Sequence, residues 1–224
     1  MSHKSELLKQ IHKLSEKLHF ESKWYDRNEP FGHTNNDSED DYIYEFYCYL
    51  KILKDLKTHY KIKYDKGNKG FPTKPAKKEG YSKFLLLDKN SNNKLFQVCA
   101  GTKIIKHNGK VSDTDAPDIS FQKSDANDNP NYNDVLMIMD AKYKLNPSKK
   151  LTKPIIEQFA TIVRDLKVEN ANTEPINFDN YKDLKGNCLI TNGLAHKKKE
   201  TYCKNNFIKQ VEKFDIGSTP NVIG

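Results

Sequence analysis

Hydrophobic residues are concentrated in short runs, and the most informative run predicts a buried strand near the middle of the chain. Residues 135–139 (VLMIM) are all large and apolar, and polar residues bound the run on both sides. A run of this length is too short to span a membrane and is typical of a buried strand. Side chains alternate between the faces of a strand, so Asp140 and Lys142 at its end are predicted to share one face. Leu136 and Ile138 are predicted to lie below them on that face.

The rest of the pattern predicts an α/β fold. Apolar positions at helical spacing predict helices at 5–19, 40–53 and 153–166, of which the first is expected to pack on the body of the protein. Short apolar runs predict strands at 84–87, 95–99, 104–106, 117–121 and 188–191. Along the chain, the order of helices, strands, a helix and a further strand predicts a central mixed sheet flanked by helices. A single domain is expected over 1–224, with a helical arm at 1–37, a core at 38–195 and a C-terminal extension at 196–224.

Two acidic residues are expected to meet at the end of the central strand. Asp118 lies in the 117–121 segment, where polar and apolar residues alternate. If this segment pairs with the 135–139 strand, Asp118, Asp140 and Lys142 meet at one rim of the sheet. Two carboxylates in a small volume repel each other, and a divalent cation between them removes the repulsion. Carboxylate oxygens favour Mg²⁺, with Mn²⁺ as a substitute.

This set of residues indicates phosphodiester hydrolysis. A metal held by Asp118 and Asp140 would polarise a phosphoryl oxygen and acidify a bound water. Lys142 would orient that water or neutralise the charge that develops on the phosphate. The backbone carbonyl of Ala141 is expected to be a further metal ligand.

The pair Pro117-Asp118 followed by Asp140-x-Lys142 resembles the signature of the PD-(D/E)xK nuclease superfamily. The two acids lie 22 residues apart, which is compatible with the family's placement of them on adjacent strands. The resemblance covers mainly residues 40–165 and implies a restriction-endonuclease-like core.

Family members also carry an acidic residue on an upstream helix and a glutamine on a downstream helix. Glu45 lies in a segment similar to a helix of the nuclease subunits of modified-cytosine restriction systems. The resemblance implies that Glu45 completes the metal shell or holds a second metal. It implies that Gln158 steadies the site, although Ile162 stands where many relatives carry tyrosine. Without the resemblance, either residue is also compatible with an exposed helix position.

The net charge favours a polyanionic partner. Lysine and arginine total 38 against 30 acidic residues, which gives a charge of +8 and a pI of about 9.1. Such a surplus suits phosphate contacts. Arg27 and Arg164 are the only arginines, so strong base-specific recognition is not expected. The expected partner is DNA, and a double-strand cutter would act as a homodimer or with a specificity partner.

The predicted protein is therefore a Mg²⁺-dependent deoxyribonuclease, which the resemblance places in restriction, anti-phage or mobile-element systems. An RNA-directed nuclease with the same site and a non-catalytic nucleic-acid-binding protein on this fold stay open. Four cysteines without a close pair and the lack of a signal-peptide core indicate a cytoplasmic protein with no membrane partner. A zinc site of Cys188, His196 and Cys203 is a weaker alternative, because their spacing matches no standard module.

Overall fold

The computed structural model describes residues 2–19, 38–72, 74–111, 116–170 and 173–224. Its helices are α1 (His3–Lys17), α2 (Ser38–Leu56), α3 (Lys153–Asp165) and α4 (Glu200–Asn205). Its strands are β1 (Lys61–Asp65), β2 (Lys83–Leu87), β3 (Lys94–Ala100), β4 (Ile119–Lys123), β5 (Val135–Lys142), β6 (Asn187–Thr191), β7 (Ile208–Glu212) and β8 (Asn221–Ile223).

The eight strands of the described residues form one mixed sheet whose strand order follows the chain. Strands β1 to β5 pair antiparallel, β5, β6 and β7 pair parallel, and β8 returns antiparallel to β7. Parallel neighbours need a crossover connection, and α3 and α4 lie in the two crossovers. Successive right-handed crossovers place both helices on the same face of the sheet. The predicted α/β class with a mixed, helix-flanked sheet is confirmed.

Two hydrophobic clusters cover the sheet. The larger one packs α2 between the sheet and α1, and it includes the fully buried side chains of Tyr44, Phe84 and Phe121. Because α2 is covered on two sides, it is apolar around most of its circumference. The smaller cluster packs α3 against Ile138 and Leu189. Among the helices of the described residues, none is long and apolar enough to cross a bilayer.

Helix α1 packs on the body, as its apolar stripe predicts. Its buried face consists of Leu7, Ile11 and Leu14, followed by the buried Leu18. At its start, the His3 ring lies 3.0 Å from a carboxylate oxygen of Asp215 and 3.2 Å from the Tyr143 hydroxyl. These contacts tie α1 to the segments that follow β5 and β7. The rest of the predicted arm, 20–37, lies outside the described residues.

Two predictions near the sheet are wrong. Residues 104–106 form no strand, because only Ile105 makes an isolated bridge, to Asn131, and the chain then turns back with Lys106 accepting from Gly109. Leu136 does not share the environment of Ile138. The β4–β5 register shifts between Phe121 and Gln122, so Leu136 packs in the larger cluster and Ile138 packs beneath α3.

Strands β1, β7 and β8 lack the short run of apolar residues from which the other strands were predicted. Strand β1 is a partly exposed edge strand, and β8 is short and partly exposed. Strand β7 buries Gln210 and Glu212, whose side chains accept from the backbone N–H groups of His196 (2.7 Å) and Ala195 (2.9 Å). Residues 196–224 therefore add two strands to the same sheet.

Asp55→Ala is expected to lower the free energy of unfolding by about 3 kcal/mol, because it leaves several partly buried backbone donors unpaired. The Asp55 carboxylate is 5% exposed and accepts from the backbone N–H groups of Asp179 (2.9 Å), Asn180 (2.9 Å) and Tyr181 (3.4 Å). Urea unfolding measures the change. The matched control is Asp183→Ala at an exposed position, and equal effects of the two substitutions would contradict the assignment.

Candidate active site

Asp118 and Asp140 meet at one end of the β4–β5 pair. Ile119 pairs with Met139, so Asp118, just before β4, comes opposite Asp140 near the end of β5. Residues opposite each other in an antiparallel pair project to the same side. The Asp118 N–H donates to Asp140 Oδ1 over 3.2 Å, and the Ala141 N–H donates to Asp118 Oδ2 over 2.8 Å. Backbone donors therefore orient both carboxylates.

Lys142 bridges the two aspartates, as their predicted shared face requires. Its Nζ lies 2.9 Å from Asp140 Oδ2 and 3.3 Å from Asp118 Oδ2. The Lys142 side chain is 29% exposed, against 15% for Asp118 and 9% for Asp140. The Lys142 side chain is thus the most exposed of the three.

Glu45 faces this triad from α2, which packs across the sheet at β5. It is half-buried and lines a cavity together with Asp118. The Glu45 carboxylate interacts electrostatically with Asp118, Lys142 and Asp140. The structure therefore brings together the predicted Glu45, Asp118, Asp140 and Lys142, which are far apart in sequence.

The close approach of Glu45, Asp118, Asp140 and Lys142 shifts the pKa values of several of these groups. Burial and the Asp140 carboxylate raise the pKa of Asp118 from 3.8 to about 7, against the opposing effect of Lys142. Burial and the Asp118 carboxylate raise the pKa of Glu45 well above its ordinary value. Burial alone would lower the pKa of Lys142. The surrounding carboxylates, led by Asp140, outweigh burial and raise that pKa well above its ordinary value.

Three carboxylates face one ammonium, which leaves two negative charges in excess when all are ionised. A divalent cation has the charge that balances this excess, and carboxylate oxygens are ligands that Mg²⁺ accepts. The residues present therefore fit a hard divalent cation. Among the described residues, no group of three or more His, Cys, Asp or Glu side chains is already arranged around a single metal position. Instead, the Lys142 ammonium lies between the two aspartates.

Asp41 is a further acidic residue near the site, and it lies outside the sequence motif. It lies one helical turn before Glu45, lines the same cavity and adds to the rise in the pKa of Glu45. The signal was the spacing of four residues, which places both carboxylates on the same face of α2.

Gln158 has a different placement. It is exposed on α3, the helix that covers the Ile138 face of the sheet, whereas Glu45 approaches the aspartates from α2 on the other face. The ion pairs and hydrogen bonds that join Asp118, Asp140 and Lys142 do not involve Gln158. Its role in the site stays a prediction.

The zinc alternative is wrong for these residues. Cys188 lies in the larger hydrophobic cluster and Cys203 in the smaller one, so the sheet separates them. All four cysteines are buried and free.

No protein-family model matches the chain, and no curated protein or solved structure matches it either.

Proposed function

We propose that this protein is a metal-dependent endonuclease with a restriction-endonuclease-like core that hydrolyses DNA phosphodiester bonds. One observation carries the proposal: three carboxylates from α2, the start of β4 and the end of β5 surround a single ammonium at one rim of the sheet. A buried site with excess negative charge is costly to the fold, so a function that needs a cation accounts for it best.

In this proposal Asp118 and Asp140 hold Mg²⁺ or Mn²⁺, Glu45 completes the shell, and the Ala141 carbonyl is a further ligand. When bound, the cation supplies polarisation of the phosphoryl oxygen and a water of lowered pKa. The backbone N–H groups of Asp118 and Ala141 keep the two aspartates in place. Lys142 keeps its proton at neutral pH, so it can neutralise charge that develops on the phosphate.

A basic rim beside the site supports a nucleic-acid substrate. Lys144, Lys149 and Lys150 follow the carboxyl end of β5. Hydrogen bonds of 2.8 Å and 3.0 Å, from Leu151 N–H to Leu194 C=O and from Leu194 N–H to Lys149 C=O, hold this segment against the loop after β6. Lysines on a segment held in this way can contact phosphates without a large ordering cost.

The biological setting that we propose is a restriction, anti-phage or mobile-element system. Cutting both strands of a duplex needs two copies of the site, so a homodimer or a specificity partner belongs to this proposal.

The test is cleavage of circular DNA, since opening a circle requires an endonuclease. Supercoiled plasmid, circular single-stranded DNA and, in parallel, RNA are incubated with the protein and Mg²⁺, Mn²⁺ or EDTA. We expect cleavage with either metal, loss of cleavage in EDTA, and recovery when excess Mg²⁺ is restored. Activity must coelute with the protein on size exclusion, which controls for a contaminating nuclease. Cleavage of RNA alone would replace DNA as the substrate, and cleavage of neither polymer would overturn the proposal.

A further inference from the structure

A cavity of about 310 Å³ opens beside Glu45 and Asp118 at the candidate active site. Such a volume is at the lower end of the range of roughly 300 to 1,000 Å³ that is typical of small-molecule sites. The cavity can therefore hold a single ring system but not a base pair. Its other walls include Tyr42, Phe46, Pro72, Lys74, Pro75 and Ala116.

Hydrogen bonds hold the cavity open. The Tyr42 hydroxyl donates to the Pro72 carbonyl over 2.6 Å and so joins α2 to the opposite wall. The Ala76 N–H donates to the Gly101 carbonyl (3.0 Å), and the Gly101 N–H donates to the Asp118 carbonyl (2.9 Å). Gly101 has a φ of +51°, and a Cβ there would lie 3.3 Å from Pro72 Cγ, so a side chain would narrow the cavity. The walls are thus preorganised and linked to the backbone of a catalytic-site residue.

The lining side chains are of two kinds. The carboxylates of Glu45 and Asp118, together with Asp41 one helical turn before Glu45, lie where the proposed metal would meet a phosphate. The other lining side chains are mainly aromatic, proline and alanine, with Lys74 among them. A sugar-phosphate chain alone would leave these apolar walls in water. A nucleobase next to the scissile phosphate would cover them, because every base has a flat apolar face that can stack.

We infer that the base adjoining the scissile phosphate enters this cavity unpaired, and that the preferred substrate is single-stranded DNA. The inference rests on the proposed nuclease function. A base within an intact duplex must first be unpaired and unstacked, which costs a few kcal/mol. A base in a single strand avoids most of this cost, so the cavity selects unpaired nucleotides.

The test compares initial cleavage rates in Mg²⁺ for a labelled single strand, the same strand in a perfect duplex, and the same duplex with a central unpaired bubble. We expect the single strand and the bubble to be cut at least tenfold faster than the perfect duplex. Equal or faster cleavage of the perfect duplex would overturn this inference and leave the nuclease function standing. Cleavage of none of the three would overturn the nuclease function itself.

A cavity-filling variant tests the role of the walls. Ala116→Leu is expected to reduce the single-strand rate at least tenfold, chiefly through a higher KM. The matched control is Ala126→Leu, which makes the same change in the turn after β4, outside the cavity. Melting temperatures equal to that of the parent establish that both variants fold. An unchanged single-strand rate in a folded Ala116→Leu protein would overturn the inference.

Discussion

Asp140→Asn is expected to reduce metal-dependent DNA cleavage about 10³-fold. Asparagine has nearly the same shape as aspartate, and its carbonyl can still accept from the Asp118 N–H that now lies 3.2 Å from Asp140 Oδ1. It removes the negative charge that would bind the cation and that pairs with Lys142 over 2.9 Å. Loss of one group that stabilises developing charge typically costs 10²- to 10³-fold, and loss of a metal ligand belongs at the upper end of that range.

DNA binding by the Asp140→Asn protein shows whether the loss of cleavage is a loss of catalysis or a loss of the folded structure. Asp140→Asn removes one negative charge beside a polyanion, so DNA binding measured in EDTA should be equal to or tighter than that of the parent. Cleavage is measured as kcat on a labelled single strand at saturating Mg²⁺. Asp125→Asn makes the same change at an exposed position after β4 and should keep the parent rate. An Asp140→Asn protein that retains a tenth or more of the parent kcat would contradict the role of Asp140.

Asp118→Asn is expected to make the metal-free protein more stable above neutral pH, although it removes a proposed ligand. Burial and the Asp140 carboxylate raise the pKa of Asp118 from 3.8 to about 7. The folded protein therefore holds this proton more tightly than the unfolded chain does. The stabilisation is fully present below about pH 4 and is lost as the pH rises through 7, with a slope of up to about 1.4 kcal/mol per pH unit.

Urea unfolding from pH 5 to pH 8 in EDTA measures this effect. The free energy of unfolding of the parent should fall over that range, and that of Asp118→Asn should fall less and be higher by about 2 kcal/mol at pH 8. Asp125→Asn should follow the parent. Addition of Mg²⁺ at pH 8 should stabilise the parent more than Asp118→Asn, because the cation replaces the missing proton. A variant that is less stable than the parent at pH 8 in EDTA would show that the Asp118–Lys142 ion pair outweighs the repulsion.

The aspartates and Lys142 could be placed from sequence because their geometry is local to two strands. Once 117–121 and 135–139 are taken as neighbouring strands, strand alternation brings Asp118, Asp140 and Lys142 together without knowledge of the rest of the fold. The structure has this pairing, with Ile119 opposite Met139. Glu45 was placed differently, through a family resemblance, because nothing local shows which side of α2 faces the sheet.

Other features of the site depend on long-range packing. Asp41 and the cavity beside Glu45 require α2, the loop around Pro72 and the start of β4 to meet. The shift of the Asp118 pKa to about 7 depends on how far these elements exclude water, and spacing along the chain carries no measure of burial.

By itself, the sequence determined the α/β class, most of the central strands, and the meeting of two aspartates with a lysine at a strand end. These features follow from short-range periodicity, which each segment carries on its own. Only the tertiary structure decided that polar strands β7 and β8 extend the sheet and that Leu136 and Ile138 pack in different clusters. It also decided that three carboxylates share one ammonium. Each of these depends on which segments pack together, because burial and charge balance arise from contacts between distant parts of the chain.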